Sequence, residues 1–584
     1  MCGLFGLIQS EPLDQSALDK ADNARDTLHH RGPDNAGSFH ENNIYIGHRR
    51  LSIIDTSPSG NQPMIDHGIV ITVNGEIYNF KTLRAELEEQ GAHFRSGSDS
   101  EVILHGYKVW GIEKLADKID GMYVATIYDP AQNQLTILRD RAGIKPLYYY
   151  HHGRNFAYAS ELKALKCFLN AEDVSINPEA VIDFLTYRYI PAPKSLYKNI
   201  YKLPAASILT INTKNPEKVG ISKYWNLSTD TVIEGSNTTF SDRLRTLLRK
   251  SVNEQMVSDV PLGLLLSGGI DSSAVAAMAV EQKAKPLSFT IGFRNKGRDE
   301  STHAEAVSKT LHTTHYVHYL DDEEMHDLAQ TMAAWFDEPF GDTSAIPTFR
   351  VSDFAKQHVT VALSGDGGDE LFGGYNWYKQ FDTILKKQAK IPVKFKHGLP
   401  LDFKHWRLRH VSLLFMKDPI ELYARLRGSL PFRQIQKWKK ELGVDKHYDH
   451  LWAYRAHYDP QRSPVRNARI IDFHTYLPDD ILTKVDRVSM AVSLECRPPF
   501  LSRALIEYAY SLPDSYIMHG GTLKGGLKHA LRNDLPHDIL FRKKQGFSVP
   551  DHGWRRGAVR QYGSLQEFLL HPFLNNSIRN AEKE

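Results

Sequence analysis

The stretch Val260 to Ser273, VPLGLLLSGGIDSS, has the residue types needed to hold an anion. An apolar run ending at Leu266 meets Ser267, Gly268 and Gly269, then a helix-prone, Ala-rich segment from Ser272 to Val280. Two glycines let the backbone approach a phosphate closely. Free N–H groups at a helix start and the hydroxyls of Ser267, Ser272 and Ser273 can donate to it. Asp271 is too acidic to donate to phosphate and suits a magnesium ion that neutralises it, because hard oxygen ligands suit magnesium. A second apolar run, HVTVALS (His358 to Ser364), leads into GDGGDE (Gly365 to Glu370). Asp369 can share the magnesium with Asp271, although an acidic run of this kind also reads as a solvated turn. The Gly-Lys-Ser/Thr ending of a Walker P-loop is absent.

Different chemistry is available at the start of the chain. Cys2 becomes the N-terminal residue once Met1 is removed, and its thiolate is a nucleophile whose own α-amine, with a pKa of about 8, is the nearby base. A lone cysteine in MCGLFGLI also reads as a small buried strand residue. HHRGPD, GHRRLSIID, QPM, NGEIYN and GSDSEV follow, each at a turn or strand end where loops present side chains to a small ligand. Arg50 can grip a carboxylate bidentately, and Glu76 and Asp99 can pair with an ammonium group. Those charges match a free α-amino acid. Asn74 and the Gly75 N–H suit an oxyanion in acyl transfer. Each of these residues alone also reads as a structural turn or a solvated charge.

The elements that position these groups follow from periodicity. PLSFTIGF and THYVHYL read as strands and AEAVSKTL and EMHDLAQTMAAWF as helices, and this alternation implies a doubly wound parallel sheet. Ligands of such sheets lie beyond the carboxyl ends of the strands, so the two Ser-Gly loops can face one nucleotide. Residues 212–240 are polar and turn-rich, the best linker candidate, before an amphipathic helix in DRLRTLLRKSVNEQM.

At 584 residues the chain is long enough for several domains. Lys plus Arg, 72, against Asp plus Glu, 69, leaves a net charge of +3, which points away from nucleic acid or an anionic membrane as the main partner. The basic segment 386–409 is expected to be a solvated surface. Three scattered cysteines argue against a disulfide framework and for a reducing compartment. With no long apolar segment or signal-like start, a cytoplasmic location is expected.

SGGIDSS resembles the pyrophosphate-binding loop of ATP pyrophosphatases, which form AMP and pyrophosphate while adenylating a substrate. Cys2 with RGPD, GHRRLSIID, NGEIYN, SDSEV, RDRAGIKPLYY and SEL resembles the glutaminase domain of class II glutamine amidotransferases. In this order the motifs resemble the glutamine-dependent asparagine synthetase family. The resemblance implies an N-terminal-nucleophile α/β/β/α sandwich over 2–211, a linker over 212–240, and a doubly wound ATP pyrophosphatase domain with a helical C-terminal part over 241–584. It further implies that Cys2 attacks the glutamine amide, with Arg50, Leu51, Ser52, Ile53, Asn74, Gly75, Glu76 and Asp99 forming the glutamine site. On the nucleotide side, Leu266 and Ile291 flank adenine, Ser267, Gly268, Gly269, Asp271, Ser272, Ser273, Ser364 and Gly365 hold ATP, and Lys524 lies near the α-phosphate.

The same resemblance puts Asp366, where part of the family carries Glu, beside the acyl adenylate, and DEPFGDTSAIP (Asp337 to Pro347) in the acceptor pocket. Ser502 stands where the family usually has Asp, and KKQGFSVP (Lys543 to Pro550) completes the match. The implied reaction uses ATP, magnesium and glutamine to convert aspartate to asparagine, with ammonia passing through an internal tunnel, in a homodimer. The rival acceptor is another carboxylate, such as a uronic acid in surface-polysaccharide synthesis. A non-catalytic scaffold and a ligase using free ammonia are the other readings.

Overall fold

The computed structural model describes residues 1–229, 231–282, 285–294, 299–391, 412–542, 566 and 569–574. Most of the basic segment 386–409, and all of KKQGFSVP, lie outside the described residues.

The first half holds two antiparallel six-stranded sheets. One runs Ile200–Lys202, Tyr148–His152, Asn155–Ala159, Gly3–Ile8, Ile44–Arg50, Asn35–Glu41. The other runs Val219–Lys223, Ser207–Asn212, Gln134–Arg139, Gly121–Asp129, Ile69–Ile77, Met64–Asp66. Strand alternation explains their stacking. In Gly3–Ile8, Phe5 and Leu7 join a core with the helices Gln15–Asp26 and Pro178–Tyr187, while Leu4 and Ile8 join Ile46, Val70 and Val124 between the sheets. In Ile69–Ile77, Ile71 and Val73 face the helices Phe80–Glu89 and Glu101–Lys118. The layers are therefore helix, sheet, sheet, helix.

The linker expected at 212–240 needs correction. Val219–Lys223 pairs antiparallel with Ser207–Asn212, and the helix Asn237–Gln255 starts inside the expected range, so the stretch free of both is 224–236. The strand reads as loop because it lies at a sheet edge with Gly220, Ile221, Ser222 and Lys223 exposed, so no apolar face marks it.

The second half is built on a parallel sheet ordered Thr314–Leu320, Leu287–Phe293, Leu262–Leu265, Val361–Leu363, Glu495–Arg497. Leu264 and Leu266 pack with the helices Asn237–Gln255 and Ile270–Val280 on one face. Phe289 and Ile291 pack with the helix Ala345–Lys356 on the other. The chain moves outward from Leu262–Leu265 in one direction and returns through Val361–Leu363 on its other side. That reversal is the switch point where doubly wound sheets take ligands, and the loops after both strands are the two Ser-Gly loops. The helices Asn376–Ala389, Pro419–Arg427, Trp452–Arg455 and Pro464–His474 pack around Tyr378, Tyr423 and Tyr454, and a π-helical stretch, Leu477–Leu482, follows. Among the described residues, no helix is long and apolar enough to cross a membrane.

Candidate active sites

At the first site, Gly3–Ile8 lies beside Ile44–Arg50 and brings Cys2 next to the end of Ile69–Ile77. The Cys2 N–H donates to Asn74 Oδ1 at 2.8 Å, and Arg31 Nε donates to the Cys2 carbonyl at 3.0 Å. Burial pushes the Cys2 thiol up, opposed by the neighbouring N-terminal ammonium and the Leu51 N–H. Among the described residues Asn74 Nδ2 is buried with no hydrogen-bond partner, so the amide is oriented through its oxygen while its nitrogen still has donors to give. Gly75 has φ +143°, and a Cβ there would collide with the Met122 carbonyl, so only glycine fits.

Glu76 and Asp99 are buried near one another. Burial raises Asp99 to about 6, although its Oδ2 accepts from the Ile77 N–H at 2.7 Å. Glu76 is pushed well up by burial and by the charges of Glu495 and Asp99. Leu51 and Ile53 are buried beside this group, and the Ser52 N–H donates to Asp34 Oδ2 at 2.7 Å. Arg50 does not match its expected free fork. Its guanidinium donates to the carbonyls of Ser57 and Asp55 and to Asn61 Oδ1, since the loop it precedes curls back over it.

At the second site, a cavity of about 520 Å³ opens at the switch point. Leu266, Ser267, Gly269, Asp271, Ser272 and Ile291 line one side, and Ser364, Gly365, Asp366 and Asp369 the other. The loops touch, since a Cβ on Gly365 would lie 2.7 Å from the Ser272 nitrogen. Gly268 and Ser273 are not on the lining. The Gly268 carbonyl accepts from Arg542 Nε at 2.9 Å, and Ser273 is fully buried one helical turn further in. The Ser267 and Ser272 hydroxyls bond each other at 3.1 Å.

Lys524 Nζ sits between Asp271 and Asp369, 2.5 Å from Asp369 Oδ1. Burial opposes its charge, but the two carboxylates outweigh burial and raise its pKa. Both aspartates can thus reach one cation. Two hard carboxylates beside a phosphate-sized loop fit magnesium, which takes its remaining ligands from phosphates and water.

The far wall of this cavity was only partly legible. DEPFGDTSAIP supplies Asp342 and Ser344, and both hold Lys484 Nζ, at 3.0 and 2.9 Å. Tyr375, Trp377 and Tyr476 complete that wall, with Arg427 Cζ 4.2 Å from the Trp377 ring and 3.7 Å from the Tyr476 ring. Burial raises Asp366, and it raises Glu370, which accepts from the Tyr375 hydroxyl at 2.6 Å, to about 8. Within the same motif Glu338 turns away, pairing with Lys202 at 2.6 Å. Ser502 is mostly buried and precedes the helix Arg503–Ser511.

Sequence reasoning missed the groups between the sites. Met1 is buried, its ammonium 2.7 Å from Glu495 Oε2, and its sulfur contacts Lys145. A cavity of about 10 Å³ is lined by Met1, Lys145, Ser364, Asp366 and Cys496 together with neighbouring residues. Glu495 and Arg497 lie on the short last strand of the parallel sheet. No local signal exists for an ion pair made across several hundred residues.

The sequence matches the Glutamine amidotransferase domain family over residues 1–225 and the Asparagine synthase family over residues 243–564. It is 34% identical to Asparagine synthetase (glutamine-hydrolyzing) 1 of Bacillus subtilis strain 168, over 96% of this chain and 89% of that protein. Asparagine synthetase (glutamine-hydrolyzing) 3 of the same organism is 28% identical over 98% and 92%. Amidase chry2 of Gibberella zeae is 26% identical over 96% and 91%. The chain belongs to the glutamine-hydrolysing asparagine synthetase family and is a glutamine-dependent ligase.

Proposed function

We propose that the protein adenylates the side-chain carboxylate of aspartate with ATP and amidates it with ammonia released from glutamine at Cys2. The observation that carries this reading is shared lining. Ser364 and Asp366 line both the large cavity and a small one that Met1 also lines, and Met1 is the residue whose loss exposes the Cys2 α-amine.

In this mechanism Cys2 Sγ attacks the glutamine side-chain carbonyl carbon while the Cys2 α-amine, freed by loss of Met1, takes the thiol proton. Asn74 Nδ2 and the Gly75 N–H donate to the oxyanion. Leu51, Ser52 and Ile53 shape the pocket wall, and Glu76 and Asp99 receive the substrate ammonium. Arg50 meets the substrate carboxylate after exchanging its loop carbonyls for it. The C–N bond breaks, ammonia leaves, and water hydrolyses the thioester to glutamate.

At the second site an aspartate carboxylate oxygen attacks the α-phosphorus of ATP, and the bond to the β-phosphate breaks. Leu266 and Ile291 flank adenine, while Ser267, Gly269, Ser272, Ser364 and Gly365 bind the nucleotide; Gly268 and Ser273 support the loop from behind. Asp271 and Asp369 would hold magnesium, which supplies positive charge against the phosphates. Lys524 moves from its carboxylates to the α-phosphate, where negative charge develops. Lys484 faces the acceptor's second carboxylate. Ammonia attacks the acyl carbon, Asp366 takes a proton from the nitrogen, and AMP leaves.

The test is pyrophosphate release with Mg-ATP and glutamine, with and without aspartate. Aspartate-dependent release with asparagine as product supports the reading. Glutaminase activity without it moves the acceptor to another carboxylate such as a uronic acid. Absence of glutaminase in wild type and Cys2→Ala alike supports a scaffold.

A further inference from the structure

Arg497 ends the last strand of the parallel sheet, Glu495–Arg497, and is buried. Its carbonyl accepts from the Ser364 N–H at 2.9 Å, so its main chain holds the first residue of the second nucleotide loop. Most of its guanidinium is anchored within its own half of the molecule. Nη1 donates to the carbonyls of Gln255 and Val257 at 2.7 and 2.6 Å, and Nε donates to Glu495 Oε1 at 2.6 Å.

Nη2 is used differently. It lies 3.4 Å from Glu76 Oε2, an ion pair in which, among the described residues, neither atom has a hydrogen bond although both are buried. A buried donor and acceptor left this far apart are costly, and a small shift or a new partner relieves them. Glu495 thus holds Nε through one oxygen and the Met1 ammonium through the other, while Glu76 stands beside Nη2. An ammonium-bearing ligand on Glu76 takes the place of Nη2 and leaves the arginine to Glu495 and the Gln255 and Val257 carbonyls. Because the same residue holds Ser364 through its carbonyl, it links Glu76 to the nucleotide loop.

We propose that Arg497 is a positioning residue through which an ammonium-bearing ligand at Glu76 changes nucleotide affinity at Ser364, and through which nucleotide changes glutamine affinity. This rests on the reading of Glu76 as the partner of the glutamine ammonium. Binding free energies are reciprocal, so either ligand can report the coupling.

The experiment uses full-length Cys2→Ala protein, which binds glutamine without consuming it. Calorimetry gives the glutamine Kd with and without magnesium and a non-hydrolysable ATP analogue. The analogue is expected to shift that Kd about fivefold or more, within the usual range of coupled sites. Adding Arg497→Lys keeps the charge but loses the planar fork. It is expected to leave both ligands binding and to cut the shift below about twofold. An unchanged shift in Arg497→Lys, or no shift in the parent, overturns the proposal. If Arg497→Lys does not fold, Glu495→Gln decides. Removing the Glu495 charge draws Nη2 onto Glu76 and weakens glutamine binding, and an unaltered glutamine Kd overturns the proposal. A parent that binds the analogue but no glutamine refutes the functional reading of Glu76 itself, a result distinct from lost coupling.

Discussion

Arg31 and Asp486, 455 residues apart, form a buried bidentate ion pair, with Nη1 to Oδ2 at 2.8 Å and Nη2 to Oδ1 at 3.0 Å. Arg31 Nε also holds the Cys2 carbonyl, so the residue that anchors the nucleophile is fastened to the other half of the chain. Arg31 Nη1 also bonds Glu161 Oε1 at 2.8 Å, so removing Asp486 leaves the buried guanidinium half-paired rather than alone. Asp486→Ala is expected to cost about 2 to 3 kcal/mol, below the full penalty for a stranded charge, read as a lower denaturation midpoint. Loss of less than about 1 kcal/mol would show that the pair does not bind the halves together.

Asn74→Ala removes the unpaired Nδ2 donor. Glutaminase kcat is expected to fall about 10²- to 10³-fold with little change in the glutamine KM, as for loss of one oxyanion donor. Pyrophosphate release driven by added ammonia should persist. An equal loss in both activities would assign Asn74 to structure.

Asp99 sets a pH dependence. Burial raises its carboxyl from 3.8 to about 6. Since the folded value is the higher one, its contribution to stability is full below about 3.8 and is lost as pH rises through about 6. The carboxylate that binds an ammonium exists above that value, so the glutamine KM is expected to fall as pH rises through about 6. Asp99→Asn should remove that inflection from the profile; its persistence would move the titration to another group.

Lys524 occupies the space between Asp271 and Asp369. Lys524→Met leaves two acids without their cation, so manganese binding without nucleotide, followed by electron paramagnetic resonance, is expected to tighten about tenfold, ~1.4 kcal/mol. AMP formation should collapse while glutaminase persists. Unchanged manganese affinity would mean that the lysine and the metal do not share the site.

Much of this arrangement was legible because it is local. The alternation of PLSFTIGF and THYVHYL with helical stretches already implies the parallel sheet that the structure shows. The loop from Ser267 to Ser273 announces its chemistry through glycines and hydroxyls that act within a few residues. Val219–Lys223 was not legible, because an edge strand with exposed side chains carries no apolar period. Lys524 read in isolation is an exposed helix residue. In the fold it is buried at a left-handed N-cap between two aspartates.

The sequence by itself determined the strand–helix alternation of the second half and the two loops at the switch point, since backbone propensity and periodicity act over short stretches. Tertiary structure alone decided which charges meet. It turned Arg50 onto the carbonyls of its own loop, set Lys484 between Asp342 and Ser344, and strung Glu76, Arg497 and Glu495 between the two sites. Such pairing depends on desolvation and on a few ångströms of approach between segments hundreds of residues apart, and neither quantity is written in local sequence.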